Sequence, residues 1–332
     1  MLLGDVVPSW GRPTVTSVIV AVGVVALLAA VRPLVYEVDG VSMAPGLVPG
    51  DRVTSGPFPW LDRLHGPRRF ERWVLATADG AAAIKRVVGL PGERVSIAAG
   101  ELAIDGMTVL KGPRLLAAVG VPVAAGPSAA AWWSMAAGEI LDDMACDAGK
   151  SVVLRPVRDV GFAAVVTVET PSGGNVRGRA TVGRTAVTWQ LTAGRHAIVA
   201  GRLDGHVVAV AWRLPAAAPA LAGRSCLPPE PPSRWSAAVP WAEADSTTGQ
   251  SPPLALTIEP AVGSTARIER VDRWRDVLFR PAADGVTEWH LATDTVFTLG
   301  DHPASSRDSR HWGPVPLTAL RHRVASTACV GK

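Results

Sequence analysis

The sequence predicts a mainly β protein with one N-terminal membrane anchor, a β part divided between two stretches of chain, and a β-sandwich inserted between those stretches. Three observations predict it. Hydrophobic residues make up 48% and charged residues 19%, against a usual charged share of about 25%, which excludes a disordered chain. An uncharged apolar run occupies Pro13–Val31. Beyond Ser151, short β-branched segments recur every ~8 to 12 residues between Gly, Asp and Asn turns, the rhythm of a sandwich. The 332 residues leave room for about two domains.

The apolar run reads PTVTSVIVAVGVVALLAAV and is bracketed by Arg12 and Arg32. As a helix it spans about 28 Å, close to the hydrocarbon core of a bilayer, so it can cross once. The competing reading is a cleaved signal peptide, since Leu28, Ala29 and Ala30 offer small residues near its end. Against cleavage stand the length of the run, the immediate Arg32, and a leader without a basic region. The expectation is an anchor over residues 1–35 with the rest of the chain on one side. One arginine on each flank leaves orientation open on charge grounds.

Charge excludes other classes. The net charge is +4, but the basic residues are scattered, with no tract of Lys and Arg interleaved with aromatics, so nucleic acid is not an expected partner. Only four lysines occur, Lys85, Lys111, Lys150 and Lys332; arginine carries nearly all the positive charge. Cys146, Cys226 and Cys329 form no CxxC motif and no disulfide framework, and read as ordinary buried or half-buried thiols. None of the seven histidines falls in a metal-ligand spacing. His196, His206 and His290 read as scattered strand or loop residues, and no metal or other cofactor is expected.

Three short blocks carry the chemistry. The first, Val38–Val53 (VDGVSMAPGLVPGDRV), breaks apolar residues with Gly and Pro every few positions, which suits short strands joined by tight turns. It sets Ser42 on a turn, where a serine more often serves its own backbone than catalysis. The second, Ala83–Val95 (AIKRVVGLPGERV), is a strand followed by a turn. If Lys85 points inward, Arg86 points outward, because side chains alternate. A lysine in an apolar wall loses hydration of its charged form and becomes available as a base, which arginine cannot do. The third, Phe297–Pro316 (FTLGDHPASSRDSRHWGPVP), runs from a strand into a polar loop in which Asp308 and Arg310 have the same parity and can pair along an extended segment.

Each block alone has a plain structural reading; together and in this order, behind an anchor, they closely resemble the bacterial type I signal peptidases. These are membrane-anchored serine proteases with a Ser/Lys dyad. The resemblance covers the anchor, roughly residues 36 to 110, and residues 291 to 320. It implies Ser42 as nucleophile and Lys85 as general base. It further implies that Ser306 orients the lysine amine by a hydrogen bond, that Asp308 and Arg310 brace the site, and that Gly300 and Asp301 open the same motif. The residues flanking the dyad, Val41, Met43 and Ile84, are expected to line shallow apolar substrate pockets. Gly40 stands where some members of the family place an oxyanion-binding serine, which leaves the second oxyanion donor open. His302 replaces a usual asparagine, Gly46 a common threonine, and the stretch Arg69–Ala76 matches a strand only loosely. The implied substrates are secretory preproteins with small residues, often Ala-x-Ala, before the cleaved bond. The implied location is the cytoplasmic membrane, with the catalytic part on the extracytoplasmic side and the lipid bilayer as a partner.

The first catalytic stretch is expected over 36–110, the second over 291–332, and the inserted sandwich over 111–290. A Pro/Ala-rich linker, 215–253, interrupts it. The strand rhythm resembles concanavalin-like or jelly-roll modules, which often bind carbohydrate, though fold does not imply function. Trp132, Trp133, Trp189 and Trp212 read as core or rim residues rather than a sugar platform. Two other readings remain at this point: a membrane-anchored binding protein with an inactive protease core, and a peptidase of the same family dedicated to one substrate.

Overall fold

A computed structural model describes residues 32–56, 59–127, 130–143, 153–171, 174–219, 225–242, 250–281 and 284–328, together with Val18, Val20, Val22 and Gly23. Those four are helical and exposed. The rest of the expected anchor lies outside the described residues, and among the described residues no helix is long and apolar enough to cross a membrane. Cys146 and Cys329 also lie outside them.

The protein is mainly β, and the described residues form four antiparallel sheets. The sheet that positions the motif residues has seven strands, in the order Val35–Glu37, Arg52–Ser55, Leu320–Ala328, Arg72–Ala76, Ala82–Gly89, Thr295–Leu299 and Val315–Pro316. Chain segments far apart in sequence are therefore neighbours. Trp73 is paired with Lys85, and Leu299 with Arg86. The loosely matched Arg69–Ala76 stretch thus supplies the strand beside the lysine. Trp73, Leu75, Val87 and Val296 fill one face of this sheet, each one removing apolar surface worth roughly 1.5–3 kcal/mol from water.

A small sheet of Glu288–His290, Arg94–Ala98, Glu101–Ile104 and Met107–Thr108 packs beside it. Asp105 and Gly106, both at positive φ (50° and 82°), make the last turn, the Asp-Gly hairpin that suits strand twist. Phe297 and Leu299 of the large sheet share a core with Val95 and Ile97 of the small one.

Two further sheets stack face to face. One has six strands, in the order Ala237–Pro240, His206–Arg213, Gly194–Leu203, Val160–Glu169, Thr265–Arg275 and Val121–Pro127. The other has four: Thr185–Leu191, Val176–Val182, Leu254–Glu259 and Trp132–Met135. Phe162, Val166, Ile198 and Ile268 from the first meet Val176, Ala180, Leu256 and Ile258 from the second in one dry core. The alternation of buried and exposed residues along Val176–Val182 is what a strand with one face on a core requires. The Pro/Ala-rich stretch is not an open tether where it is described: Cys226 and Leu227 are buried in a second core, and Ala237–Pro240 pairs as an edge strand. Proline is tolerated there because an edge strand has a row of backbone groups left unpaired. Trp133 packs tilted against Phe162, with ring centroids 5.2 Å apart, Trp189 and Trp212 are half-buried, and Trp132 is exposed.

Candidate active site

The first block folds as a loop between Val35–Glu37 and Arg52–Ser55, closed by backbone bonds from Val38 N to Asp51 O (2.9 Å) and from Gly50 N to Val38 O (2.8 Å). The Asp51 carboxylate accepts the Val48 N–H at 2.9 Å. Met43, Leu47, Val38 and Val53 form a small core beneath the loop, with Tyr36 and Ile84 packed against it. Met43 is 1% exposed, which corrects its expected place in a substrate pocket. An apolar side chain directly after the turn serine swings under the loop, where burial is worth more than exposure at a pocket wall. Val41, directly before Ser42, and Ile84, packed against that small core, are both half-buried.

Lys85 projects from Ala82–Gly89 toward that loop. It is 4% exposed, and its Nζ donates to Ser42 Oγ over 2.8 Å. Burial pushes its pKa down to about 8, against the pull of the Asp308 and Asp301 charges upward; the Arg310 charge adds to the downward push. Such an amine is half free of its surplus proton at about pH 8, and in the neutral form the short contact reverses, the hydroxyl donating to nitrogen. The pair can activate an oxygen nucleophile.

The strand is buried on both faces. Arg86 alternates away from Lys85 as expected, but it points into a second interior rather than outward: it is 7% exposed. Its Nε and Nη2 bond both oxygens of Asp301 at 2.7 and 2.6 Å, and its Nη1 donates to Phe70 O at 2.6 Å. The small sheet and the loop after Leu299 cover that face, and sequence parity carries no sign of them. Here the missed signal is the pairing of an Arg directly after the lysine with an Asp directly after Gly300.

The third block wraps the dyad from the other side. Asp308 and Arg310 pair as expected, Nε to Oδ1 and Nη2 to Oδ2 both at 2.8 Å. They do so at a helix start rather than along an extended segment: Asp308 caps the short helix Ser309–Trp312, the role for which aspartate is favoured over a strand position. Burial alone would raise the Asp308 carboxyl. Hydrogen bonds from His311 and Arg310, the guanidinium charge and the Gly300 N–H more than reverse that and hold it below the ordinary carboxylate range. Arg310 also donates to the carbonyls of Pro303 (3.0 Å) and Arg280 (3.1 Å), so it pins the loop's path.

Gly300 is where this loop touches the nucleophile. A Cβ there would collide with Ser306 Oγ and stand 2.5 Å from the Ser42 carbonyl oxygen. That carbonyl accepts the His302 N–H at 3.1 Å. Ser306 is 3% exposed and its hydroxyl has no hydrogen-bond partner, so the orienting bond to Lys85 expected of it is not made. The side chain is in the right neighbourhood, turned onto Gly300 by the tight approach of the two loops.

Two glycines mark departures in the first block. A Cβ at Gly46 would stand 2.7 Å from the Ala118 carbonyl, so the helix Pro113–Val119 excludes the threonine common there. Gly40 has open space around it.

A serine hydroxyl within 2.8 Å of a buried amine is an arrangement that can activate an oxygen nucleophile without a histidine. A comparison with protein families matches residues 10–124 and 257–328 to the signal peptidases, peptidase S26. This is more than half of the chain, and the chain belongs to that family. The unmatched residues 125–256 supply most strands of the stacked sheets, while Thr265–Arg275 of the six-stranded sheet lies within the match. Comparison with curated proteins finds no match.

Proposed function

We propose that the protein is a membrane-bound serine endopeptidase that removes signal peptides from secreted preproteins after small residues of the Ala-x-Ala type. The observation that carries the reading is the 2.8 Å contact between Ser42 Oγ and a buried Lys85 amine, supported by the family to which the chain belongs. Lys85, neutral, takes the hydroxyl proton as Ser42 Oγ attacks the carbonyl before the scissile bond. The amine then returns the proton to the leaving nitrogen. An acyl-enzyme remains, and water activated by the same amine hydrolyses it. Negative charge developing on the carbonyl oxygen is met by the Ser42 backbone N–H. Asp308, Arg310, Asp301 and Arg86 hold the loop and strand that carry these groups.

Half-buried Val41 and Ile84 fit a substrate with small side chains beside the cleaved bond. The apolar run at Pro13–Val31 would hold the site at the membrane surface, on the extracytoplasmic side, where a signal peptide's apolar core resides. The test is incubation of the detergent-solubilised full chain with a preprotein, comparing wild type with Ser42→Ala and Lys85→Ala. Cleavage by wild type alone supports the reading; equal rates in all three sink it.

A further inference from the structure

The chain leaving the inserted sandwich runs past the catalytic loop. Just beyond the strand Thr265–Arg275, the backbone carbonyl of Arg280 accepts Arg310 Nη1 at 3.1 Å. Arg310 is the residue that clamps Asp308 and also reaches the Pro303 carbonyl. The loop's brace therefore depends on where Arg280 stands.

The side chain of Arg280 is held by the insertion. Its Nε and Nη2 donate to Asp142 Oδ2 at 3.2 and 2.5 Å, across 138 residues of sequence, and Nη2 also reaches the Val153 carbonyl at 2.8 Å. Asp142 is itself fixed. Its Oδ1 accepts the Arg155 N–H at 2.6 Å, and its own N–H donates to the Arg155 carbonyl at 3.0 Å. Arg275 Nη2 holds the next residue by donating to the Asp143 carbonyl at 2.7 Å. An exposed ion pair between flexible side chains would be worth little. This one has side chains only 17% and 7% exposed, with both carboxylate oxygens engaged, so it sets a geometry.

A second observation places the same residues against the nucleophile's support. Asp142, Arg275 and Arg280 line one small gap together with His302, Pro303 and Ala304, and His302 is the residue whose N–H holds the Ser42 carbonyl. Asp142 belongs to residues 125–256, which the family match leaves out, whereas Arg280 and Arg310 lie within it. The insertion thus supplies the far end of a brace whose near end is the catalytic loop.

We propose that Asp142, acting through Arg280, is a positioning residue for the catalytic loop, so that the inserted sandwich sets how Ser42 is presented to Lys85. This rests on the serine peptidase reading above. Released from Asp142, the Arg280 side chain keeps only the Val153 carbonyl. Its backbone carbonyl can then shift, and with it the Arg310 guanidinium and the path of residues 302–308. A displacement of about 1 Å at a reacting group can cost about a hundredfold in rate, so a smaller one transmitted through this chain should cost about tenfold.

The test uses full-length protein in detergent. Asp142→Asn sets an amide N–H against either Arg280 or the Arg155 N–H, so one bond is lost. Its kcat for preprotein cleavage should fall about tenfold while KM changes by less than about twofold, and Asp142→Glu, which keeps the carboxylate, should recover most of the loss. Arg280→Met should match Asp142→Asn, and the double variant should lose no more than the worse single, because both act through one contact. Hydrogen exchange over residues 300–310 should quicken in these three variants, while Arg72–Ala76 exchanges as in wild type. Should Asp142→Asn fail to fold, the half-buried Arg280 decides, with Arg280→Lys recovering what Arg280→Met loses. Wild-type kcat in the folded single variants overturns the proposal. So do losses that add in the double variant, or a loss that neither Asp142→Glu nor Arg280→Lys recovers. If Ser42→Ala cleaves as fast as wild type, the peptidase reading fails, and unchanged exchange over residues 300–310 then overturns the positioning role by itself.

Discussion

Arg86 and Asp301 meet through two parallel bonds of 2.7 and 2.6 Å on the side of the strand opposite Lys85. The pair fastens the strand carrying the base to the loop carrying Ser306 and Asp308, both partners being under 9% exposed. Removing one partner strands a buried charge, so Asp301→Asn should lower stability by roughly 3–5 kcal/mol, with the double change Arg86→Met and Asp301→Leu recovering much of it. Thermal unfolding of the three proteins measures this; a double variant no more stable than Asp301→Asn would refute it.

Preprotein cleavage should rise with pH through a midpoint near 8, because burial lowers the Lys85 amine to about that value and the neutral form is the base. Two units below the midpoint the rate should be about a hundredfold under its plateau. Lys85→Arg should be inactive at every pH, since a guanidinium does not deprotonate. Single-turnover cleavage across pH is the measurement, and a flat profile would exclude Lys85 as the titrating group.

The same burial costs stability. The unfolded chain keeps the lysine proton to higher pH than the folded one, so this residue's contribution to stability rises with pH from about 8 toward the ordinary lysine value and is constant below about 8. Lys85→Met, which removes the charge and keeps the bulk, should stabilise the protein at pH 7 by up to the order of 3 kcal/mol while abolishing cleavage. A variant that melts below wild type at pH 7 would contradict this.

Gly40 has open space where a side chain would begin and lies two residues before the nucleophile. Gly40→Ser should fold unchanged and raise kcat, because a hydroxyl donor aimed at a developing oxyanion is worth up to about a hundredfold. Steady-state kinetics at unchanged Tm are the check; a fall in kcat would place the side chain outside the oxyanion site.

Ser42 and Lys85 stand out in the sequence only through the resemblance that the three ordered blocks carry together; taken alone, each reads as a plain turn serine or strand lysine. The pairing of Asp308 with Arg310 was legible in their shared parity, although the capped helix that forms it was not. What the sequence hid lies in contacts between distant segments. Parity sets Arg86 opposite Lys85 but does not say that Asp301, 215 residues away, waits there. Met43 reads equally as surface or core until the loop closes over it. Lys111 looked as ordinary as Lys150 and Lys332, yet it is fully enclosed, with one partner 93 residues further along the chain. The linker's Cys226 and Leu227 gave no local sign that the sandwich would bury them.

The strand Leu320–Ala328 lies between Arg52–Ser55, next to the Ser42 loop, and Arg72–Ala76, next to the Lys85 strand. It is the hydrogen-bonded joint between the part of the sheet that carries the Ser42 loop and the part that carries Lys85. Both residues precede this joint in the chain by more than two hundred positions. The contact between them is therefore a long-range product of folding, set only once residues 320–328 have taken their place in the sheet.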